Sequence, residues 1–565
     1  MNYVRKQDKR FRKFAASVAA VAVLTLAGAA VPARAQIFTV LYDAPANAGI
    51  SNPAGQADAQ GRNGNLYFTA ASGGSQGAGA LFEITPSGAA TIIYSQGQGL
   101  SGGTTLGTDG NFYGTDYNGG TGGTGGAGCG FQGCGQVWKI TPAGVETILY
   151  SFNGTDGAFP VSSVIEGTNG KYYGTTPDSG EGYGYSTAYS VTSSGTYTNL
   201  HYFLTTEGTN VYAGLVQGTD GNFYGTAYSG GANNLGTIFK MAPSGTLTVL
   251  HSFEGSDGNS PLCPLVQASD GNFYGTTSTG GAHNNGVVFK ITPSGTYTVL
   301  HNLDVGAGDG EAPSAALIEG TDGNLYGVTG QGTAGFLGTI FNITTTGTFT
   351  TLYTFCTSGD CTDGVNPQTP LIQNTNGIFY GSTSTGGDSA CSGEGIGCGT
   401  IFSLNMGLVP FVRLVTASGE EGAKIGILGQ GFTSSSVVKF GGTEATTVTR
   451  SGTTYLTATV PSAALTGSVT VTTGSTRLTS SRTFDVTPML ASFSPSSGPV
   501  GQLVTINGTG LKQAAKVTFN GKSASFAVVS DIEITSTVPT GATTGKIKVM
   551  TKGGSVTSST NFTVN

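Results

Sequence analysis

Residues 218–226 read Gly-Thr-Asp-Gly-Asn-Phe-Tyr-Gly-Thr, and close variants of this segment recur along most of the 565-residue chain. An apolar-aromatic pair such as Ile238-Phe239 follows each copy, and a segment like Thr248-Val249-Leu250-His251 recurs with a different phase. Repeats of about 50 residues are typical of solenoids and propellers. The tyrosine of the segment occurs seven times, at Tyr67, Tyr113, Tyr173, Tyr224, Tyr274, Tyr326 and Tyr380.

Each repeat predicts four short strands, because tight-turn residues such as Asp270-Gly271 and Pro293-Ser294-Gly295 separate its apolar runs. Seven units of four strands predict an all-β chain with a seven-bladed β-propeller at residues 36–409. The strand segment around Leu41 precedes the first tyrosine and has no counterpart after the last repeat. We therefore expect this N-terminal strand to close the seventh blade. A parallel β-solenoid is the alternative, but it would not need such a permuted strand.

The glycine-aromatic pattern stops at Pro410, and two Thr/Ser/Val-rich units follow at residues 410–487 and 488–565. They match each other at Gly429-Gln430-Gly431-Phe432 and Gly508-Thr509-Gly510-Leu511. Short β-rich runs between turn residues predict two small immunoglobulin-like β-sandwiches.

Two known families resemble these segments. Residues 218–226, together with Gly-Thr-Ile-Phe-Lys at 236–240 and Thr-Val-Leu-His-Ser-Phe at 248–253, resemble the GloVer tandem repeat of bacterial exported proteins, also called choice-of-anchor repeat proteins. The resemblance covers nearly all of residues 36–409. Pro-Ser-Ser-Gly-Pro-Val-Gly at 495–501 resembles the opening of an IPT/TIG domain, which is immunoglobulin-like. The resemblances imply export and surface display, with spacer or adhesion modules, and supply no catalytic residues.

Residues 1–35 have the organisation of a secretory signal peptide. Basic residues come first, then an apolar run from Phe14 to Val31, then the small-residue site Ala33-Arg34-Ala35. An uncleaved N-terminal anchor is the alternative, because the run could just cross a bilayer. No second apolar span follows in the sequence, so we expect a secreted or cell-surface bacterial protein with no transmembrane segment after cleavage.

Charge is distributed unevenly along the chain. Residues 36–409 contain five basic and 24 acidic residues, whereas residues 410–565 contain 12 basic and six acidic residues. Phosphate contacts need a basic surface, so nucleic-acid binding by the repeat region is excluded. No cofactor motif is present. The aspartates leave binding of Ca²⁺ open, although no run matches the EF-hand pattern.

Seven cysteines in an exported chain predict disulfides. Three pairs are close in sequence: Cys129 with Cys134, Cys356 with Cys361, and Cys391 with Cys398. Cys263 is left over and is expected to be a buried apolar residue.

Loop variability locates the expected ligand face. The loops between strands two and three, and those after strand four, share one rim, which we call the variable-loop face. They contain the cysteine pairs and the ligand-binding candidates, and binding usually resides on such loops. Turn chemistry is the alternative role of the aspartates. The candidates are Asp156, Asp257, Asp309, Asp363, Asn233, Asn234, His283 and Asn284.

These observations leave three functions open. The first is a non-catalytic exported binding or adhesion protein that recognises a glycan, either a polysaccharide or a surface glycan, through the variable-loop face, with a protein partner left open. The second is a glycoside hydrolase on the same scaffold, but no pair among the many carboxylates can be chosen as its acid and nucleophile or base. The third is a purely structural role in the cell envelope. Catalytic and metal-binding residues are not identified by the sequence.

Overall fold

The computed structural model describes residues 36–44, 50–51, 53, 59–70, 72–74, 79–95, 100, 102–120, 129, 133–178, 185–331, 337–388 and 397–565. The expected signal peptide, residues 1–35, lies outside the described residues, and Gln36–Asn565 form one compact unit. Within the described ranges the only helix is a 3₁₀ turn at Val305–Ala307, so the fold is all-β. No helix in this part of the chain is long and apolar enough to cross a membrane.

The described part of the repeat region contains seven four-stranded antiparallel sheets, numbered here sheet 1 to sheet 7. The first strands are Ala59–Gln60, Thr105–Leu106, Ile165–Glu166, Val216–Gln217, Val266–Gln267, Ile318–Glu319 and Ile372–Gln373. The second strands are Leu66–Ala70, Phe112–Asp116, Tyr172–Thr176, Phe223–Ala227, Phe273–Thr277, Leu325–Thr329 and Phe379–Ser382. The third strands are Ala80–Ile84, Gln136–Ile140, Thr187–Val191, Thr237–Met241, Val287–Ile291, Thr339–Ile343 and Thr400–Asn405. The fourth strands are Ala90–Tyr94, Glu146–Ser151, Tyr197–Tyr202, Leu247–Ser252, Tyr297–Asn302, Phe349–Thr354 and, for sheet 7, Ile37–Asp43. A small separate ladder pairs Ile50–Ser51 with Ser72–Gly73.

Sheet 7 is therefore completed by the N-terminal strand, as the phase of the repeats predicts. Ile37–Asp43 pairs antiparallel with Thr400–Asn405, from the Ile37/Asn405 pair to the Asp43/Thr400 pair.

The second strands are buried on both faces, because each of their aromatic residues packs on a different neighbour. In sheet 4 the Tyr224 ring stacks on Phe273 of sheet 5, with 3.9 Å between ring centroids. Gly225 leaves room for the Phe239 ring, since a Cβ there would lie 2.5 Å from Phe239 Cζ. Glycine at this position is thus a packing requirement of the repeat.

The turns between strands one and two are uniform. In sheet 4 the Asp220 carboxylate accepts hydrogen bonds from the backbone N–H of Asn222 at 3.1 Å and from the Tyr224 hydroxyl at 2.9 Å. Lys240 also donates to it at 2.7 Å. These bonds lower the pKa of Asp220 to about 2, against the opposing effect of its partial burial. The repeated aspartate of this turn is therefore structural.

Neighbouring sheets are linked by repeated contacts, and sheet 7 contacts sheet 1 in the same ways. The Gln267 side-chain oxygen of sheet 5 accepts the N–H of Thr219 in sheet 4 at 2.9 Å. Gln60 of sheet 1 accepts the N–H of Thr375 in sheet 7 at 3.2 Å. The Ser382 hydroxyl of sheet 7 also donates to the carbonyl oxygen of Pro53.

The C-terminal residues contain two pairs of sheets with the same order of strands, one pair within residues 410–487, here called module 1, and one within residues 488–565, here called module 2. The four-stranded sheet of module 1 is Arg413–Leu414, Lys424–Leu428, Tyr455–Thr459 and Val448–Ser451, and its five-stranded sheet is Ser418–Gly419, Thr476–Val486, Gly467–Thr473, Val437–Phe440 and Thr443–Glu444. The four-stranded sheet of module 2 is Met489–Ser494, Leu503–Thr509, Glu533–Thr537 and Phe526–Val528. Its five-stranded sheet is Ser497–Gly498, Gly554–Val564, Gly545–Thr551, Ala514–Phe519 and Lys522–Ala524. Both sheets of each module contribute to a single apolar cluster.

Two of the three predicted disulfides lie within the described residues. Cys129 is bonded to Cys134 and Cys356 to Cys361. Cys398 is also disulfide-bonded, and its predicted partner Cys391 lies outside the described residues. Cys263 is a free, buried thiol, as predicted.

Candidate functional site

The candidate aspartates are anchors of the loops that follow strand four. Asp257 accepts a hydrogen bond from His251 Nε2 at 2.9 Å through one carboxylate oxygen. Its other oxygen accepts the backbone N–H of Glu254 at 2.8 Å. The carboxylate thus joins the end of strand four to the turn that follows it, so both of its oxygens have a partner within the loop.

The same bridge recurs in four other sheets. His301 lies 2.8 Å from Asp309, and the Tyr353 hydroxyl donates to Asp363 at 2.8 Å. The Tyr150 hydroxyl donates to Asp156. The loop of sheet 3 uses Glu207, which lies 2.8 Å from His201 and accepts the N–H of Leu204 at 2.9 Å. Sequence reasoning missed Glu207, although its place six residues after the repeated histidine could have revealed it.

The candidate asparagines shape turns. Asn234 and Asn284 adopt left-handed backbone, with φ of 58° and 60°, which asparagine tolerates better than most residues. Their side-chain oxygens accept the N–H groups of Gly230 at 3.0 Å and Gly280 at 3.2 Å.

The remaining loop candidates do not complete a common cluster. The Asn233 amide donates to the carbonyl of Phe253 at 3.0 Å, and His283 is exposed. Within the described ranges, no hydrogen bond or ion pair joins any two of the eight candidates. The same part of the chain contains no group of three or more His, Cys, Asp or Glu that could hold a metal.

Two pairs of aromatic rings from three neighbouring sheets lie on the variable-loop face; we call these four rings the aromatic cluster. Tyr117 stacks on Phe159 with 5.0 Å between centroids, and Tyr212 meets Tyr228 edge-to-face at 5.7 Å. Burial raises the pKa of Tyr212, and electrostatic interactions with Tyr228, Tyr117 and Asp178 raise it further. Tyr117 is 40% exposed and the other three rings are half-buried, which leaves aromatic surface open to solvent.

The aromatic cluster breaks the repeat. Tyr117 and Tyr228 directly follow the second strands of sheets 2 and 4. The same place holds Pro177, Ser278 and Gly330 in sheets 3, 5 and 6. The rim position of Phe159 is filled by Asn210, Ser260, Ala312 and Asn366 in the next four loops, all with the same positive φ. The backbone is therefore repeated while the aromatic side chains are confined to one sector.

A cavity of about 550 Å³ lies along the first strands of the sheets. Its wall includes Ile165, Val216, Val266 and Ile318, from sheets 3 to 6. Gly214, two residues after Tyr212, also lines it. We call this space the inner cavity. The repeats thus supply an aliphatic part of its wall.

Module 1 supplies another part of the wall, including Phe411, Arg413 and Leu414. It packs on the strand one–two turns, because the N–H of Phe411 donates to the carbonyl of Thr375 at 3.0 Å. The Thr454 hydroxyl donates to the carbonyl of Arg62 at 2.8 Å. Module 1 therefore contacts both sheet 7 and sheet 1, on the side opposite the variable loops.

Asp116 is a buried carboxyl that the sequence did not single out. It accepts hydrogen bonds from Gln136 at 2.7 Å and from the indole N–H of Trp138 at 2.9 Å. Burial raises its pKa to about 7, with a further contribution from Glu146 and an opposing one from the two hydrogen bonds. Because the side chain is 0% exposed, its role is internal to sheet 2.

Family comparison agrees with the repeated geometry. The sequence profile of the Gloeobacter/Verrucomicrobia repeat matches residues 127–315 and 265–455, which together span more than half of the chain. The chain belongs to the Gloeobacter/Verrucomicrobia repeat family. Residues 488–564 match the IPT/TIG domain, so module 2 is a domain of that type. The matched segment of this Gloeobacter/Verrucomicrobia repeat protein begins at residue 127, within the second of its seven repeats.

Solved structures resemble parts of the chain weakly. A 6-phosphogluconolactonase-like protein from Bacteroides fragilis shares 14% identity, covering 57% of this chain and 88% of that one, with a TM-score of 0.40. The extracellular domain of a hybrid two-component system from B. thetaiotaomicron shares 11% identity over 93% of this chain and 56% of its own, with a TM-score of 0.41. A surface glycan-binding protein from Prevotella bryantii shares 18% identity over 27% and 41%, with a TM-score of 0.22. This chain thus spans less than two thirds of the last two structures. No curated protein sequence matches it significantly.

Proposed function

We propose that this repeat protein is an exported or cell-surface, non-catalytic glycan-binding protein. Its seven sheets are taken as the blades of a closed propeller over residues 36–409, and modules 1 and 2 as immunoglobulin-like sandwiches that present it. The contacts of Gln60 and Pro53 with sheet 7 support closure, because they repeat the contacts between other neighbouring sheets. Disulfides support export, since they persist in oxidising compartments.

The aromatic cluster is the observation that carries the proposal. Sugar rings present flat faces of C–H groups, which pack on aromatic rings, and binding sites combine such rings with a few polar groups. Tyr117 and Tyr212 also offer hydroxyls beside their rings. Because the cluster occurs in one sector of a repeated scaffold, it supplies the unique site that seven equivalent sheets would lack.

The carboxylates of the variable-loop face support binding without catalysis. A glycosidase needs one carboxyl to donate a proton and a second to act as nucleophile or base. Asp257, Asp309 and Asp363 each accept hydrogen bonds from a strand-four side chain and from a backbone N–H of their own loop. They hold the loops in shape. Ca²⁺ binding by these aspartates lacks support, because the described residues contain no group of three or more His, Cys, Asp or Glu that could hold a metal.

A pull-down on insoluble polysaccharides tests the proposal. Residues 36–565 are mixed with cellulose, chitin, xylan and mannan, with and without EDTA, and the supernatant is assayed for both protein and released sugar. We expect retention on at least one polymer without release of sugar. Replacing Tyr117 with Ala should weaken retention roughly threefold to tenfold, because an aromatic contact contributes about 0.5–1.5 kcal/mol.

Tyr202→Ala is the matched control. Tyr202 is 49% exposed but stacks on no other ring within the described residues, so its removal should leave retention unchanged. Released sugar would refute the non-catalytic assignment. Equal losses in the Tyr117 and Tyr202 variants would refute the aromatic cluster as the site, and EDTA sensitivity would return the loop aspartates to consideration.

A further inference from the structure

Two arginines line the inner cavity, and neither forms an ion pair within the described residues. Arg413 and Arg482, both from module 1, line it together with one acidic residue, Glu319. None of the five basic residues of residues 36–409 lines it. The lining thus gains its positive charge entirely from module 1.

Arg413 is held in place by neutral groups. Its guanidinium donates to the carbonyl oxygen of Gln373 and lies 5.9 Å from the centre of the Phe411 ring. Burial, and to a smaller extent the nearby positive charge of Arg482, lower its pKa to about 10. No carboxylate lies within ion-pair distance of either arginine in the described part of the chain.

Glu319 forms no ion pair with either arginine among the described residues, and both of its oxygens are held by a neighbouring sheet. They accept hydrogen bonds from the backbone N–H of Ser269 at 3.0 Å, and one also accepts from the Ser269 hydroxyl at 2.5 Å. This contact repeats the link between neighbouring sheets described above. Arg413 is partly buried and lies near the exposed guanidinium of Arg482, and the two like charges repel each other without a counter-ion, so a bound anion would be favourable.

The rest of the wall favours an anion that also has an apolar body. Ile165, Val216, Val266 and Ile318 contribute branched aliphatic side chains, and Pro264 and Pro370 add two more apolar residues. A volume of about 550 Å³ falls in the range of small-molecule sites. Arginine recognises a carboxylate through paired hydrogen bonds, which a halide cannot reproduce.

We propose that the inner cavity is a binding site for a small organic carboxylate, with its anionic head at Arg413 and Arg482 and its body against the aliphatic wall. Module 1 packs on the side of the strand one–two turns, where Arg413 donates to the carbonyl oxygen of Gln373, so the anionic head lies at that end of the cavity. The site is separate from glycan binding by the aromatic cluster and does not depend on it.

Calorimetric titration of residues 36–565, which form one compact unit, tests the site. The probes are phenylacetate and galacturonate as carboxylates, phenylacetamide as the uncharged analogue of the first, and chloride as an inorganic anion. We expect saturable binding of at least one carboxylate below about 10 mM and at least about tenfold weaker binding of phenylacetamide. Arg413→Gln, which retains a donor for the Gln373 carbonyl, should weaken carboxylate binding at least about tenfold.

Controls separate loss of the site from loss of the fold. Arg482→Ser removes the second, exposed guanidinium and should weaken binding severalfold even if Arg413→Gln proves unstable. Arg450→Gln, an exposed change in module 1 outside the cavity, should have no effect. The proposal is overturned if neither carboxylate binds, if phenylacetamide binds as tightly as phenylacetate, if chloride displaces the carboxylates at equal concentration, or if Arg482→Ser binds like the unaltered protein. Polysaccharide retention by the same variants reports independently on the aromatic cluster.

Discussion

Replacing Asp116 with Asn should remove a pH-dependent weakness from sheet 2. The carboxyl is 0% exposed, and burial raises its pKa from 3.8 to about 7. Between those two values the folded protein keeps the proton and the unfolded chain has lost it. The free energy of unfolding therefore falls as pH rises through this range, and the stabilisation from the raised pKa is fully lost above pH 7.

The size of this change in unfolding free energy depends on how much of the interval between the two pKa values lies above pH 5.5. Each pH unit between the two pKa values changes the free energy of unfolding by about 1.4 kcal/mol. Most other carboxyls are ionised above pH 5.5, so the fall from pH 5.5 to pH 8 that belongs to Asp116 is about 2 kcal/mol. Asn is neutral throughout, and the Gln136 amide can turn to meet its NH₂ group. The Asn variant should therefore gain about 2 kcal/mol over the parent protein between the two pH values.

Urea unfolding at pH 5.5 and pH 8 measures this change through the fluorescence of Trp138, which is the single tryptophan of the chain and donates to Asp116. Circular dichroism provides a second probe. Comparing the two pH values cancels any constant cost of the amide. The matched control is Asp220→Asn, because the pKa of Asp220 is lowered to about 2 and the group stays ionised throughout. Parallel pH profiles for the parent protein and the Asp116 variant would refute the reasoning.

Two further outcomes follow from the loops and the core. Asp257→Asn should lower the free energy of unfolding by about 1–2 kcal/mol, because the Asp257 carboxylate bridges strand four and the next turn. Glu254→Gln in the same exposed loop should change it little. Urea unfolding of both variants measures the difference. Cys263 is 3% exposed and burial raises its pKa to about 12, so iodoacetamide at pH 8 should leave it unmodified in the folded protein and alkylate it after unfolding; mass spectrometry checks this, and rapid alkylation without unfolding would contradict the packing.

Much of the scaffold could be predicted because the same packing contacts recur in successive repeats. Gly225 recurs where a ring from the next strand needs its space, and Tyr224 recurs where it stacks on the neighbouring sheet. The phase difference between segments also predicted that the strand around Leu41 would join the last repeat, and Leu41 lies in the strand that pairs with Thr400–Asn405. Such inferences need only periodicity and turn chemistry.

The candidate site could be predicted less well, because its contacts join residues from different repeats. Tyr117 and Tyr212 are almost 100 residues apart, and nothing in the local sequence of either indicates that they lie in the same sector of the variable-loop face. Aromatic residues in the repeats are mostly core residues, so the exposed ones are not distinguished by type. The loop aspartates were prominent for the opposite reason, since they recur, and recurrence here reflects turn structure. Arg413 acquires its environment only when module 1 packs on the sheets.

The pairing of Ile37–Asp43 with Thr400–Asn405 sets the order in which the molecule can assemble. Six sheets are built from segments that follow one another along the chain, so each can form while synthesis or export is still in progress. Sheet 7 alone requires strands from opposite ends of the repeat region. Contacts of such long sequence separation form slowly, because the entropy of closing the loop must be lost before they stabilise the chain. Completion of sheet 7 is therefore expected to be the late, rate-limiting event in folding. Until then, the edge of Thr400–Asn405 is exposed, and two chains could exchange their N-terminal strands there.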